Sequence, residues 1–238
     1  MVRTRFNGEV STGRVADTLI FELDSVKQIR KAVPGATVND VMIAIIGGGL
    51  RKYLQSAGEL PDISLACHAP VSTRAERNSE SVGNQVSEMI ISMATDLDDP
   101  LGRLQAVHES AARAKDFTAT VGGSLMSEVS RGLVPAVLGA GMRLGSRAAA
   151  RADVPVPAHV VISNIPGPQF PLYLGGAEVQ AMLGLGPLLH LMGMFHAVLS
   201  GVGRISITFV TCPEMLPDPE FYRECLREAY DELAAAAR

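Results

Sequence analysis

Hydrophobic positions recur along this chain in two rhythms. Between residues 36 and 54 they fall at Val38, Val41, Met42, Ile45, Ile46, Leu50, Tyr53 and Leu54, a helical spacing that makes one broad face apolar. Thr37 precedes this run and Asp40 lies three residues on. A Thr hydroxyl can accept from the Asp40 backbone N–H while the Asp40 carboxylate reaches back, and its charge suits the positive end of a helix dipole. Gly47, Gly48 and Gly49 then interrupt the helix. Each costs about 1 kcal/mol relative to Ala, whereas burying one Ile or Leu returns roughly 2 kcal/mol. The helix therefore survives, and the glycines predict that another backbone crosses it closely. Asn39, polar and in the first turn, is left without a packing reason.

The remaining elements follow from the same two periods. Residues 17–23 predict a strand, and Asp24 is placed to cap a short helix that ends near Val33, before Pro34 and Gly35. Residues 63–71 and 86–94 predict strands, with a polar exposed loop over 72–83 between them. A helix is predicted from Asp99 and Pro100 to about Phe117, with Leu101, Leu104, Val107 and Ala111 on one face. Residues 122–152 are helical in pattern but broken by glycine and proline, which predicts two or three short helices. The β-branched run 159–165 predicts a buried strand stopped by the rigid turn Pro166, Gly167, Pro168. Strands are also predicted over 172–174, 178–183, 192–200 and 204–212, with a hairpin turn at Gly201, Val202 and Gly203. A closing helix over 217–237 carries Phe221, Cys225, Leu226, Ala229, Tyr230 and Leu233 on one face. Helices and strands mix without regular alternation, so the fold class is α/β: a mixed sheet packed against helices.

Composition narrows the function. The 238 residues suit one large domain or two small ones, and 47% hydrophobic residues exclude a disordered chain. With 21 Lys+Arg against 25 Asp+Glu and no Trp, the chain has no nucleic-acid footprint, so no nucleic-acid partner is expected. Cys67, Cys212 and Cys225 are odd in number and widely spaced, which predicts neither a disulfide framework nor a metal site; a reducing cytoplasm is the default. The first residues lack the apolar run of a signal peptide. Residues 181–203 carry no Asp, Glu, Lys or Arg and are long enough to span a bilayer. Pro187, His190, His196 and five glycines favour two buried strands joined by a Gly-Pro turn instead.

Candidate chemistry is sparse. Ser163 and Asn164 stand at a strand end before the rigid turn, where preorganised donors could face an oxyanion or bond the turn's own backbone. The five histidines are scattered, and His159, His190 and His196 fall in apolar runs that suit core positions. Arg143, Arg147 and Arg151 share a helix face, with Arg131 nearby; they could meet phosphate groups or an anionic membrane, or form a solvated face. Met126, Met142, Met182, Met192 and Met194 suit an adaptable apolar tunnel or ordinary core.

Six motifs in order carry a resemblance. Residues 37–41 read Thr-Val-Asn-Asp-Val and residues 48–54 Gly-Gly-Leu-Arg-Lys-Tyr-Leu. They are followed by Ala-Pro-Val-Ser-Thr-Arg at 69–74, Gly-Asn-Gln-Val at 83–86, Ser-Asn-Ile-Pro-Gly-Pro at 163–168 and Pro-Leu-Tyr-Leu-Gly-Gly-Ala at 171–177. Together they resemble the second half of the bacterial wax ester synthase/acyl-CoA:diacylglycerol acyltransferases. The resemblance implies that residues 1–238 are one domain, equivalent to the C-terminal half of a two-domain, chloramphenicol-acetyltransferase-like enzyme. It implies transfer of an acyl group from acyl-CoA, a substrate rather than a bound cofactor, to an alcohol or diacylglycerol. It also implies that Asn39 and Asp40 match the family's Asn-Asp pair, either as a cap and a polar link to the neighbouring domain or as a wall of the substrate channel. The family's His-His-x-x-x-Asp-Gly motif, whose second His is the general base, does not occur in this sequence. The chain is therefore expected to need an N-terminal acyltransferase half or a second copy as partner, in the cytoplasm or at a membrane or lipid-droplet surface. The other reading is a stand-alone, non-catalytic lipid- or partner-binding module.

Overall fold

The structure is a computed structural model that describes residues 1–72, 86–121, 145, 148–152 and 155–238. Its centre is a six-stranded mixed sheet in the order β1-β8-β7-β4-β2-β3. The strands are β1 (Val15–Glu22), β2 (Ala66–Ser72), β3 (Val86–Ser92), β4 (Val160–Pro166), β7 (Met194–Gly201) and β8 (Arg204–Thr211). A separate two-stranded hairpin joins β5 (Tyr173–Leu174) to β6 (Ala177–Glu178). Parallel pairing is confined to β2 with β4 and β4 with β7; the other pairs in the sheet are antiparallel.

The helices are α1 (Leu23–Ile29), continued by a 3₁₀ turn (Arg30–Ala32), α2 (Val38–Ser56), α3 (Pro100–Val121) and α4 (Pro219–Ala236). They cover one face of the sheet. Alternate residues of each strand, among them Leu19, Phe21, Val160, Ile162, Met194, Val198, Ile207 and Phe209, join one core with α2 and α4. Helix α2 is the centre of that core, buried along nearly its whole middle from Asp40 to Leu50.

The expected capping box at the start of α2 is present. Thr37 Oγ1 accepts from Asp40 N at 3.2 Å and Asp40 Oδ2 accepts from Thr37 N at 2.8 Å. The three glycines are crowded by four neighbours, and the expected close backbone crossing occurs at Gly47. A Cβ at Gly47 would lie 2.5 Å from the Met93 carbonyl oxygen. One at Gly48 would lie 2.6 Å from the Arg103 guanidinium and 2.9 Å from Ala229 Cβ, and one at Gly49 would strike Leu226 of α4.

Three expectations fail. Asp24 does not cap α1, because the helix starts one residue earlier, with Glu22 at the N-cap and no side-chain cap bond. Residues 178–183 do not form a strand beyond β6, and the apolar stretch 181–203 contributes one long strand, β7, rather than two. Its first half lies over the sheet face away from the helices: a Cβ at Gly184 would meet Leu199, one at Gly186 would meet the Phe195 ring, and Met182 O accepts from Ser206. Glycine there serves close approach to the sheet. The hairpin between β7 and β8 turns at Val202 and Gly203, as expected, with φ of 53° and 76°. Among the described residues no helix is long and apolar enough to cross a membrane.

Candidate functional site

Three of the four sequence-predicted polar residues meet at the N-terminus of α2. Asn164 lies on the helix side of β4, in step with the core residues Val160 and Ile162. Its Nδ2 donates to Asn39 Oδ1 at 3.1 Å, although 125 positions separate the two. Asn39 therefore bonds within the chain instead of reaching only outward. The bond leaves the Asn39 NH2 as a donor and the Asn164 carbonyl oxygen as an acceptor, both on half-buried residues.

Asp40 is the anchor beside this pair. Its side chain is 4% exposed, and its Oδ2 takes the Thr37 backbone N–H and the imidazole of His108 on α3, at 3.0 Å from Nδ1. His108 was legible only as one of five scattered histidines. Its place one residue past Val107 and four past Leu104, both fully buried, is the signal that turns it inward.

Ser163 is separated from this cluster. Successive strand residues face opposite sides, so Ser163, opposite Ala197 of β7 in the register, faces the other side of the sheet. Arg143 and Arg147 lie outside the described residues, as do Met126 and Met142. Arg151 pairs with Glu9 at 3.0 Å, which occupies the guanidinium locally.

Burial changes the ionisation of several described side chains. Burial pushes the Cys67 thiol up to about 12 and the Cys225 thiol up to about 11, so both stay protonated at neutral pH. His196 is fully buried, bonded through Nε2 to the Tyr222 hydroxyl at 2.8 Å, and desolvation lowers it to about 3. Burial also lowers His159, whose Nδ1 accepts from Ala66 N and whose Nε2 lies 2.9 Å from Val2 O. His190 Nδ1 accepts from Val10 N. His159 and His196 take the core positions their apolar contexts predict, whereas His190 is only partly buried. Among the described residues no cluster of His, Cys, Asp or Glu could hold a metal. The α2 terminus offers one amide donor on Asn39 and one amide acceptor on Asn164 beside a satisfied helix cap.

Comparison with known proteins places these features. The sequence pattern of the WS/DGAT C-terminal domain matches residues 82–234. A putative diacylglycerol O-acyltransferase of Mycobacterium tuberculosis is 33% identical over 231 residues, which cover 97% of this chain and 46% of the relative. A second from the same species is 32% identical over 233 residues, with 97% and 45% coverage. The chain thus spans about half the length of the curated relatives it matches. Among solved structures, a wax ester synthase/diacylglycerol acyltransferase from Marinobacter aquaeolei superposes with a TM-score of 0.75 at 23% identity, covering 99% of this chain and 52% of that one. PapA2 acyl transferase superposes at 0.53 with 12% identity, covering 95% and 46%. These likenesses identify the architecture as one half of a chloramphenicol-acetyltransferase-like fold.

Proposed function

Since the chain belongs to the wax ester synthase/diacylglycerol acyltransferase family and carries its C-terminal domain, we propose that residues 1–238 are one unit that acts as the second half of an acyl-CoA-dependent O-acyltransferase. Its products would be wax esters or triacylglycerol. The general base would come from a first half bearing the His-His-x-x-x-Asp-Gly motif. That base takes the proton of the acceptor hydroxyl, the oxygen attacks the thioester carbonyl of acyl-CoA, the C–S bond breaks, and CoA leaves as its thiol after regaining a proton. Asn39 and Asn164, fixed by Asp40, would line the channel from the side of this domain.

The observation that carries this reading is a run of exposed apolar side chains in one stretch of the chain. Ile165, Phe170, Tyr173, Leu174, Leu183, Leu185 and Leu189 all come from residues 165–189, and each is more than half exposed. Seven large apolar side chains exposed within 25 residues are the pattern expected where a partner covers the surface. A first half of the enzyme is the occupant that fits a chain spanning about half of its relatives.

The test is an acyl-transfer assay with palmitoyl-CoA and hexadecanol or dioleoylglycerol, following release of free CoA. The purified chain is expected to give no turnover above background, and to restore turnover when mixed with a polypeptide that supplies the His-His-x-x-x-Asp-Gly half. Robust turnover by this chain, abolished by replacing one of its own histidines, would overturn the assignment of the base to the other half.

A further inference from the structure

His108 is clamped on two sides. Its Nδ1 lies 3.0 Å from Asp40 Oδ2, while Nε2 abuts Gly35, where a Cβ would approach it to 3.1 Å. Gly35 has φ of +85°, in the turn just before α2, so this position takes no side chain easily and leaves room for the ring. Asp40 Oδ2 already accepts the Thr37 N–H, and a second bond to the same oxygen is made by a donor, which assigns the proton to Nδ1. The first turn of α2 is thus held from three directions. Thr37 holds it from its own N-cap, His108 from α3 and Asn164 from β4.

We propose that His108 is a positioning residue for the Asn39–Asn164 pair, acting through Asp40. The proposal rests on the reading of that pair as part of the channel wall. Asn39 and Asp40 are neighbours in one helical turn, so a movement that releases Asp40 from His108 carries Asn39 with it. A 3.1 Å hydrogen bond tolerates only a few tenths of an ångström before it weakens. The side chains of Asp40 and His108 are 4% and 25% exposed. This contact is therefore shielded enough to fix geometry while remaining at the edge of the core, where the half-buried asparagines open to solvent.

The experiment uses the intact chain and reads the side-chain NH2 signals of Asn164 by NMR, assigned by their loss in Asn164→Ala. Asn39→Ala gives the positions of the unbonded amide. In His108→Asn the amide nitrogen occupies the place of Nδ1 and can still donate to Asp40. In His108→Gln the longer side chain places its amide near the site of Nε2, and His108→Leu has no donor. The Asn164 signals are expected to hold their wild-type positions in His108→Asn. They are expected to move toward those of Asn39→Ala in His108→Gln and His108→Leu.

Unmoved signals in the Gln and Leu variants overturn the proposal, and so does a displacement in His108→Asn as large as in His108→Leu. Should His108→Leu fail to fold, the contrast between the Asn and Gln variants decides. If no reconstituted pair of halves turns over substrate while the signals follow the expected pattern, the positioning role stands and the channel-wall reading fails.

Discussion

A carboxylate withdrawn from water has to be satisfied by its neighbours, and Asp40 shows what that demand does at the scale of a residue. Its two hydrogen bonds serve a helix cap and an inter-helix contact through one oxygen. Asp40→Ala removes both, and a lost cap alone costs about 0.5–2 kcal/mol. The urea midpoint of Asp40→Ala is expected to fall by at least that equivalent, and an unchanged midpoint would show that Asp40 is no cap. Asn39→Ala is expected to cost less, because its single bond to Asn164 joins two half-buried neutral groups, worth about 1 kcal/mol. The buried histidines add a pH dependence. His196 is held neutral well below its ordinary value of 6.5, to about 3, so between those limits the unfolded chain binds the additional proton. Stability is then complete above pH 6.5 and falls as pH drops through that range. For His196 the loss is about 2 kcal/mol by pH 5, and His159 adds in the same direction. A urea midpoint that stays flat from pH 7 to pH 5 would contradict this. The Thr37–Asp40 box was legible in the sequence because it is local, three positions apart. The Asp40–His108 and Asn39–Asn164 bonds were not, because 68 and 125 positions separate the partners and no period links them.

At the scale of an element, the glycines of α2 and the tip of the β7–β8 hairpin make opposite predictions. Gly47→Ala gains about 1 kcal/mol of helix propensity. Its Cβ would lie 2.5 Å from the Met93 carbonyl oxygen, a backbone atom that cannot swing away. Overpacking of that kind costs about 1–3 kcal/mol, so Gly47→Ala is expected to lower the melting temperature despite the better helix former. Val202 is the reverse case. A β-branched residue at φ of 53° sits where L-residues are disfavoured by roughly 1–2 kcal/mol. Val202→Asn creates the Asn-Gly pair that two-residue hairpins prefer. It is expected to raise the melting temperature; a fall would show that the Val202 side chain contributes more than its backbone costs. The sequence predicted these elements where local signals were strong: caps, glycine runs and turn pairs. It failed at residues 178–183, where an apolar run can equally line a strand or lie over a sheet. The choice was made at Met182, whose carbonyl accepts from the Ser206 hydroxyl on the sheet face, and continues where Leu199, Ala197 and Phe195 receive Gly184 and Gly186.

At the scale of the whole molecule, the exposed apolar residues over 165–189 are the feature on which the proposed pairing with a first half rests. Leu174 and Leu185 are 81% and 70% exposed. The wild-type chain is expected to self-associate in sedimentation experiments, and the double change Leu174→Asp with Leu185→Asp is expected to yield monomer. Its unfolding midpoint should shift by no more than about 0.5 kcal/mol equivalent, as for substitutions outside the core. A wild-type chain that remains a monodisperse monomer would count against an uncovered interface. The order of the sheet has a further consequence, for synthesis. Strand β1 bonds only β8 within the sheet, with Val15 opposite Thr211 and Glu22 opposite Arg204. At a ribosomal rate of about 5–20 residues per second, roughly ten to forty seconds pass between making β1 and making its partner. Through that interval Leu19 and Phe21, destined for the core, have no strand of this sheet beside them.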